Sequence, residues 1–401
     1  MASLRERLAA LSSARAATSD AKSRGLPMLT GLRKTGVSIR EQLFPFGSRR
    51  WLSQLRSVDC RVAQLISNFK FEISKASDWL FLDVETTGLA GGTGTYAFLI
   101  GLGRITEQDF CVRQFFLRDL AAERELLAAL AAELGAAPLL VTYNGKLFDA
   151  PLLETRYRLA RMRWPLDQRP HLDLLYPARR LWKLRCGSAR LLELEQLILR
   201  HSRGDDVPGA LIPQLYFDFL GRGDERPLEV VFQHNAEDLL TLAALAGRLL
   251  ALAAAPEAED ADSLERVGLA RLFERAAEPE RAAALYECAL NDHLPADAAR
   301  AARLRLSFLY KRRGDYEAAA RLWRELSENS ADRSALLALE QLAAYYEHRL
   351  GEPERAAEAT RRALRMLELA LAAERDRRCA RLTHRLRRLQ RKLDYCTSFL
   401  E

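Results

Sequence analysis

The chain has 401 residues, 49% of them hydrophobic, and a formal net charge of +7, which gives apolar material for two or three separate cores and a positive excess that suits a polyanionic partner. No apolar run reaches the ~18 residues that a membrane span needs, and the opening MASLRERLAALSSAR lacks the unbroken apolar stretch of a secretory signal, so the sequence predicts a cytoplasmic protein without a membrane partner. The six cysteines form no CxxC pair, which argues against a disulfide framework and against a zinc site.

Residues 1–77 read as an N-terminal extension of unknown role. Leu4, Leu8 and Leu11 lie on one face of an amphipathic helix, and a stretch bearing Gly, Pro and Ser follows it. From 78 to 250 the pattern changes. The apolar run at 79–84 predicts a core strand, with further strands at 97–104 and 110–117, a helix over 119–134, a strand over 138–143 and a helix from about 150. A short strand is expected at 171–175, and helices at 176–184, 190–200 and 228–250. Three strands followed by alternating helix and strand describe a mixed α/β sheet with helices packed on it. The Ala-rich, acidic segment 251–262 is a linker.

Beyond it, 263–401 carries a repeat. Ala282, Ala319 and Ala356 recur at intervals of 37 residues, and small residues at one helical position permit close packing of the tetratricopeptide type; the plain alternative is an ordinary helical bundle. Phe273, Phe308 and Tyr345 fall in the preceding helices, Tyr286 and Trp323 in the following ones. The last helix shows Leu382, Leu386, Leu389 and Leu393 as a stripe among arginines. This is a capping helix with a charged outer face, or, on a sharper reading, a nucleic-acid contact.

Several polar groups stand at element ends. Asp83 and Glu85 are two apart on a strand and so project to one face, where like charges need a cation or hydrogen-bond donors between them. Hard oxygen ligands suit Mg²⁺ or Mn²⁺; the plain alternative is an exposed polar strand end. In VTYNGKLFDAP, Asp149 opens a helix after an Asn144-Gly145 turn, as a ligand, an N-cap or both. In QHNAEDLLTL, His234 and Asp238 share one helical face, as a working pair or as ordinary surface residues. Arg179, Arg180, Lys183, Arg185 and Arg190 surround Trp182; this patch either tracks a single strand, with the ring stacked on a base, or is a solvated face whose Trp belongs to the core. GLAGGTGT lacks the GK[ST] ending of a phosphate loop and reads as a turn. Asp173 is a reserve ligand, and the DDVPG turn, Asp205 to Gly209, suggests no mechanism.

DxE on the first strand, a downstream NGxxFD and a late HxxxD together resemble the ordered motifs of the DEDD, or DnaQ-like, exonucleases, whose fold is ribonuclease-H-like. The strings FLDVETTGLAGGTGTYAFLIGLG, VTYNGKLFDAPLL, HLDLLYPARRLW, DDVPGALIPQLYFDF and HNAEDLLTLAAL narrow the resemblance to the YprB family over residues 78–250. Members of that family join such a nuclease domain to tetratricopeptide-like repeats and include a mitomycin-repair exonuclease. The resemblance implies an α/β ribonuclease-H-like mixed sheet with flanking helices, followed by an all-α tetratricopeptide-like repeat domain. It also implies a metal-dependent 3′–5′ exonuclease that acts on DNA in repair by a two-metal-ion mechanism.

Asp83, Glu85, Asp149 and Asp238 then hold two ions, Mg²⁺ or Mn²⁺, and His234 is the general base or positions the attacking water. By the same likeness Thr86, Thr87 and Gly88 lie where the terminal nucleotide docks, with Asn144 as a further nucleic-acid contact and Gly91 to Gly94 shaping the rim. One feature departs from the His-type pattern: three residues, not four, separate His234 from Asp238, the spacing of the Tyr-type branch. Two other readings are a non-catalytic nucleic-acid-binding scaffold, against which the retained acids speak, and a ribonuclease or structure-specific endonuclease. The repeats suggest a protein partner such as a helicase.

Overall fold

A computed structural model describes residues 36–48, 75–88, 92–204, 206–255, 261–329, 332–368 and 372–397. The expected helix around Leu4 to Leu11, Gly91 of the predicted rim and part of the 251–262 linker lie outside the described residues. The chain forms two compact units that divide after Ala255.

The first unit is built on a mixed sheet of six strands: β1 (Val37–Pro45), β2 (Trp79–Thr86), β3 (Ala97–Ile105), β4 (Asp109–Leu117), β5 (Leu139–Thr142) and β6 (His171–Asp173). Their order is β1-β4-β3-β2-β5-β6. β1, β4, β3 and β2 pair antiparallel, whereas β5 and β6 run parallel to β2. Parallel neighbours require a crossover, and α1 (Glu123–Gly135) and α2 (Asp149–Leu159) supply it before and after β5. β2 lies at the change of direction with its first four residues fully buried, as a strand covered on both faces must be.

One segment corrects the expected organisation. β1 falls inside 1–77, yet pairs along its whole length with β4, from Val37 opposite Leu117 to Pro45 opposite Asp109. None of its residues is fully buried, and Glu41 interrupts the apolar alternation of Val37, Ile39 and Leu43, which weakens the strand signal in the sequence. Arg40 joins it to the rest of the unit by pairing with Glu229 at 2.7 Å and lying 3.7 Å over the Phe232 ring.

Among the described residues four more helices belong to this unit: α3 (Leu175–Cys186), α4 (Leu191–Leu197), α5 (Ile212–Arg222) and α6 (Glu229–Ala254). The sequence reading did not include α5, although Ile212, Leu215, Tyr216 and Phe219 follow helical spacing and all four are buried. Tyr216 stacks on Phe98 with centroids 4.0 Å apart and donates its hydroxyl to the Leu117 carbonyl at 2.8 Å. Phe116 meets Phe219 and Phe232 in the same apolar layer.

The second unit is helical: α7 (Ser263–Arg275), α8 (Pro279–Asn291), α9 (Ala296–Arg313), α10 (Tyr316–Asn329), α11 (Arg333–Tyr345), α12 (Pro353–Glu368) and α13 (Ala372–Thr397). Each packs on the next. Ala282, Ala319 and Ala356 are completely buried, which lets neighbouring backbones approach closely. Trp323 donates to Ser307 Oγ at 2.8 Å in the interior. Glu347, whose side chain is 1% exposed, faces Arg385, Arg388 and Lys392 of α13, so part of that helix's positive charge is turned inward. Among the described residues no helix is long and apolar enough to cross a membrane.

Candidate active site

β2 and β5 are in parallel register, Trp79 opposite Leu139 and Phe81 opposite Val141, so both end at the same edge of the sheet. Asp83 and Glu85 lie at that end of β2, with an irregularity in the ladder between Glu85 and Thr86. The chain leaving β5 turns immediately. Asn144 takes the left-handed conformation at φ 66°, and Gly145 is required because a Cβ there would stand 2.6 Å from the Thr142 side chain.

Asp173 at the end of β6 fixes this turn. Its Oδ1 accepts from the backbone N–H of Asn144 at 2.7 Å and of Leu175 at 3.1 Å, and its Oδ2 accepts from Lys146 at 3.1 Å. The reserve ligand is thus engaged by backbone and supports the approach to Asp149, which sits in the first turn of α2. Phe148, not Asp149, occupies the N-cap position.

α6 crosses β2 and β3 and carries the remaining predicted groups. His234 Nε2 is 3.8 Å from Glu85 Oε1 and 3.6 Å from Asp238 Oδ2. Asp83 lies within the fields of Asp238 and Asp149, and Glu85 within that of Asp83. Three distant segments therefore converge on one edge.

Their electrostatics follow from that crowding. Burial, then repulsion from Asp238 and Asp149, holds the Asp83 carboxyl well above the usual range. Burial, then Asp83, pushes Glu85 up to about 8, and burial, then Glu85 and Asp173, pushes Asp149 up to about 7. Burial works against the charged form of His234, but the hydrogen bond to Asp206 and the charges of Asp238 and Glu85 outweigh it and raise the ring to about 9. Packed carboxylates that retain protons are poised to exchange them for a cation. An all-oxygen donor set of this kind fits Mg²⁺ or Mn²⁺.

The structure adds residues that sequence reasoning missed. Asn235, fully buried, donates to Asp83 Oδ2 at 2.7 Å, and Gln114 donates to Asn235 Oδ1 at 2.9 Å. It stands beside His234 in the quoted HNAED string, but helical spacing alone gives no reason for a buried amide. Arg203, whose side chain is 5% exposed, pairs with Asp238 Oδ1 at 2.5 Å, Glu195 Oε2 at 2.7 Å and Asp206 Oδ2 at 3.2 Å. Asp206 Oδ1 is 2.7 Å from His234 Nδ1, so Asp206 joins the site, while Asp205 of the same DDVPG string lies outside the described residues. Beside this network Glu195, His201 and Glu237 bring one potential ligand atom each within 4.8 Å of one another.

The other predicted contacts divide. The Thr86 hydroxyl donates to the Gly88 carbonyl, and the Thr87 hydroxyl accepts from Tyr96 N, each at 2.9 Å; both shape the turn after β2. Arg179 and Lys183 are exposed one helical turn apart on α3, and Arg180 is half-buried, donating to the Tyr176 carbonyl at 3.1 Å. Trp182 is 1% exposed, which corrects the stacking reading: the ring lies on the apolar side of α3 with Ala178 and Leu181 and cannot meet a base.

Residues 80–250 match a family model described as the RNase H superfamily. The chain is 34% identical over 317 residues to the Bacillus subtilis (strain 168) chain described as "Uncharacterized protein YprB", across 78% of this chain and 74% of that one. Among solved structures, the family B DNA polymerase of the hyperthermophilic archaeon Pyrobaculum calidifontis is similar with a TM-score of 0.36 and 13% identity, over 52% of this chain and 29% of the polymerase chain. The chain carries a ribonuclease H superfamily domain, a domain type of nucleic-acid-processing hydrolases, and by its identity over most of both sequences it belongs to the YprB family.

Proposed function

We propose that the protein is a metal-dependent 3′–5′ exonuclease that hydrolyses phosphodiester bonds, acting on DNA in repair. The observation that carries this reading is the convergence of Asp83, Glu85, Asp149 and Asp238 with His234 at one sheet edge, with three of the acids held above the carboxylate range. These four acids would hold two divalent ions, Mg²⁺ or Mn²⁺. Ions bound there supply positive charge to the attacking water, the scissile phosphate and the leaving oxygen.

The chain's own groups do the rest. Asp83 is oriented by the Asn235 amide, and Asp149 by the turn that Asp173 holds. His234 presents Nε2 between Glu85 and Asp238, where it takes the proton of the attacking water. Once bound cations offset those two carboxylates, the push that raises this imidazole is relieved. Thr86, Thr87, Gly88 and Asn144 border the terminal nucleotide, and Arg179, Arg180 and Lys183 follow the strand behind it. The polarity of digestion, the DNA substrate and the repair setting come from the family likeness.

Residues 263–401 are read as a tetratricopeptide-like repeat domain that binds a protein partner such as a helicase. Affinity purification of the full chain beside a chain lacking 263–401 tests this, since unchanged partners without the repeats would exclude it. The nuclease reading is tested by digesting 3′-labelled and 5′-labelled DNA with Mg²⁺ or Mn²⁺, using wild type, Asp83→Ala and Asp238→Ala. Early mononucleotide release from the 3′ label, a shrinking ladder from the 5′ label and loss of both in the variants are expected. Intact DNA and RNA with strand binding preserved would overturn the reading in favour of a scaffold.

A further inference from the structure

We infer that Asp206 is a positioning residue for His234, presented by Arg203 from a loop outside the three acid-bearing segments. The inference rests on the nuclease reading above and adds a fourth segment to the site. An ionised carboxylate only accepts hydrogen bonds. With Asp206 Oδ1 at 2.7 Å from His234 Nδ1, that nitrogen carries the proton and Nε2 is turned toward Glu85 and Asp238. A ring fixed on one side by a carboxylate has one usable orientation, with its free nitrogen aimed at the place where a water proton must be taken.

Asp206 is itself held from two sides. Its Oδ1 also accepts from Val207 N at 2.9 Å, and its Oδ2 faces Arg203 Nη1 at 3.2 Å. Arg203 in turn joins Glu195 of α4 to Asp238 of α6. One guanidinium therefore sets both the carboxylate that orients the histidine and one oxygen of a proposed metal ligand, leaving Asp238 Oδ2 on the His234 side. The loop between α4 and α5 is registered against α6 by this ion network. Removing Arg203 would strand Glu195, which is completely buried, and threatens folding. The 20% exposed Asp206 side chain is the safer position to test.

The experiment is a double-mutant cycle in the full-length protein: wild type, Asp206→Ala, His234→Ala and the double variant, with single-turnover cleavage and KM measured on a labelled single strand with Mn²⁺, and thermal melts for each. Asp206→Ala should lower kcat about 10- to 1,000-fold, within the ~10²–10⁴ that a general base supplies, with KM changed less than about three-fold. In the His234→Ala background the same substitution should change the rate by less than about two-fold. Asp206→Glu should recover part of the loss. If Asp206→Ala fails to fold, the isosteric Asp206→Asn carries the same comparison. An equal loss in both backgrounds, or a raised KM at unchanged kcat, would overturn the positioning role while leaving the nuclease reading in place. A wild type that cleaves neither DNA nor RNA would overturn both.

Discussion

The side-chain amide of Asn235 donates to Asp83 Oδ2 at 2.7 Å, through space that exists because residue 101 on the neighbouring strand has no side chain. A Cβ at Gly101 would stand 2.2 Å from Asn235 Oδ1, and Gln114 prevents the amide from swinging away. Gly101→Ala should therefore destabilise the fold by about 1–3 kcal/mol, the range for overpacking a core, and should reduce cleavage by displacing Asp83. Combining it with Asn235→Ala removes the clash, so the pair should be less harmful than the sum. Strict additivity in denaturant unfolding would argue against this account.

Metal-free protein should lose stability as pH rises. Glu85 is pushed up to about 8 and Asp149 to about 7, both chiefly by burial, whereas in the unfolded chain both titrate near ~4. The folded state thus holds more protons than the unfolded state across that window, so stability is full below the unfolded values and declines through the folded ones. His234, raised to about 9, acts with the same sign and extends the decline upward. Melts of chelator-treated protein from about pH 5 to 8.5 should show a falling Tm, and Mn²⁺ near pH 8 should raise it by binding the folded form. A Tm that rises with pH without metal would contradict the buried-carboxylate account.

Arg179 and Lys183, exposed on one face of α3, should act on affinity and leave the chemistry alone. Replacing both by Ala should weaken single-strand binding and reduce the slope of log K against log salt by about 1.4, from ~0.7 per phosphate contact on a single strand. Trp182→Ala should behave differently. It empties a buried position and should cost about 3–5 kcal/mol of stability, visible in unfolding curves and not as a selective binding defect.

Arg156 ties α2, the helix that opens with Asp149, to α1 and to the segment that leads into β3. Its guanidinium, 4% exposed on the side chain, meets Glu123 at 2.5 and 2.6 Å, donates to the Thr93 carbonyl at 2.7 Å and covers the Tyr96 ring at 3.9 Å. Arg156→Ala leaves Glu123 without its cation and should cost about 3–5 kcal/mol. Because it also releases α2 and the turn after β2, substrate binding should weaken under conditions where the variant remains folded. Equilibrium unfolding and strand binding check the two effects separately.

The strands of the acid-bearing core were legible because each is an apolar run that ends in polar residues, as 79–84 and 138–143 show. Asp83, Glu85, Asp149, His234 and Asp238 stand at such ends or on one helical face, where period and spacing make them visible. Asp206, Arg203 and Glu195 were not legible as a group: their relation is a web of ion pairs closed between a loop and two helices, and no local period encodes it. α5 was readable from Ile212, Leu215, Tyr216 and Phe219, but the proline and glycine around it resembled a turn. Trp182 was ambiguous because basic neighbours surround it in sequence while apolar ones surround it in space.

The pairing of β1 with β4 bears on how the protein can be divided. A fragment starting at Trp79 would contain every acid discussed above, yet it would bare the backbone of β4 from Asp109 to Leu117. A long unprotected strand border is a template on which a second molecule can add itself. Such a fragment should self-associate through its sheet margin, and the segment 37–45 supplied as a separate peptide should compete with that association by resuming its native place.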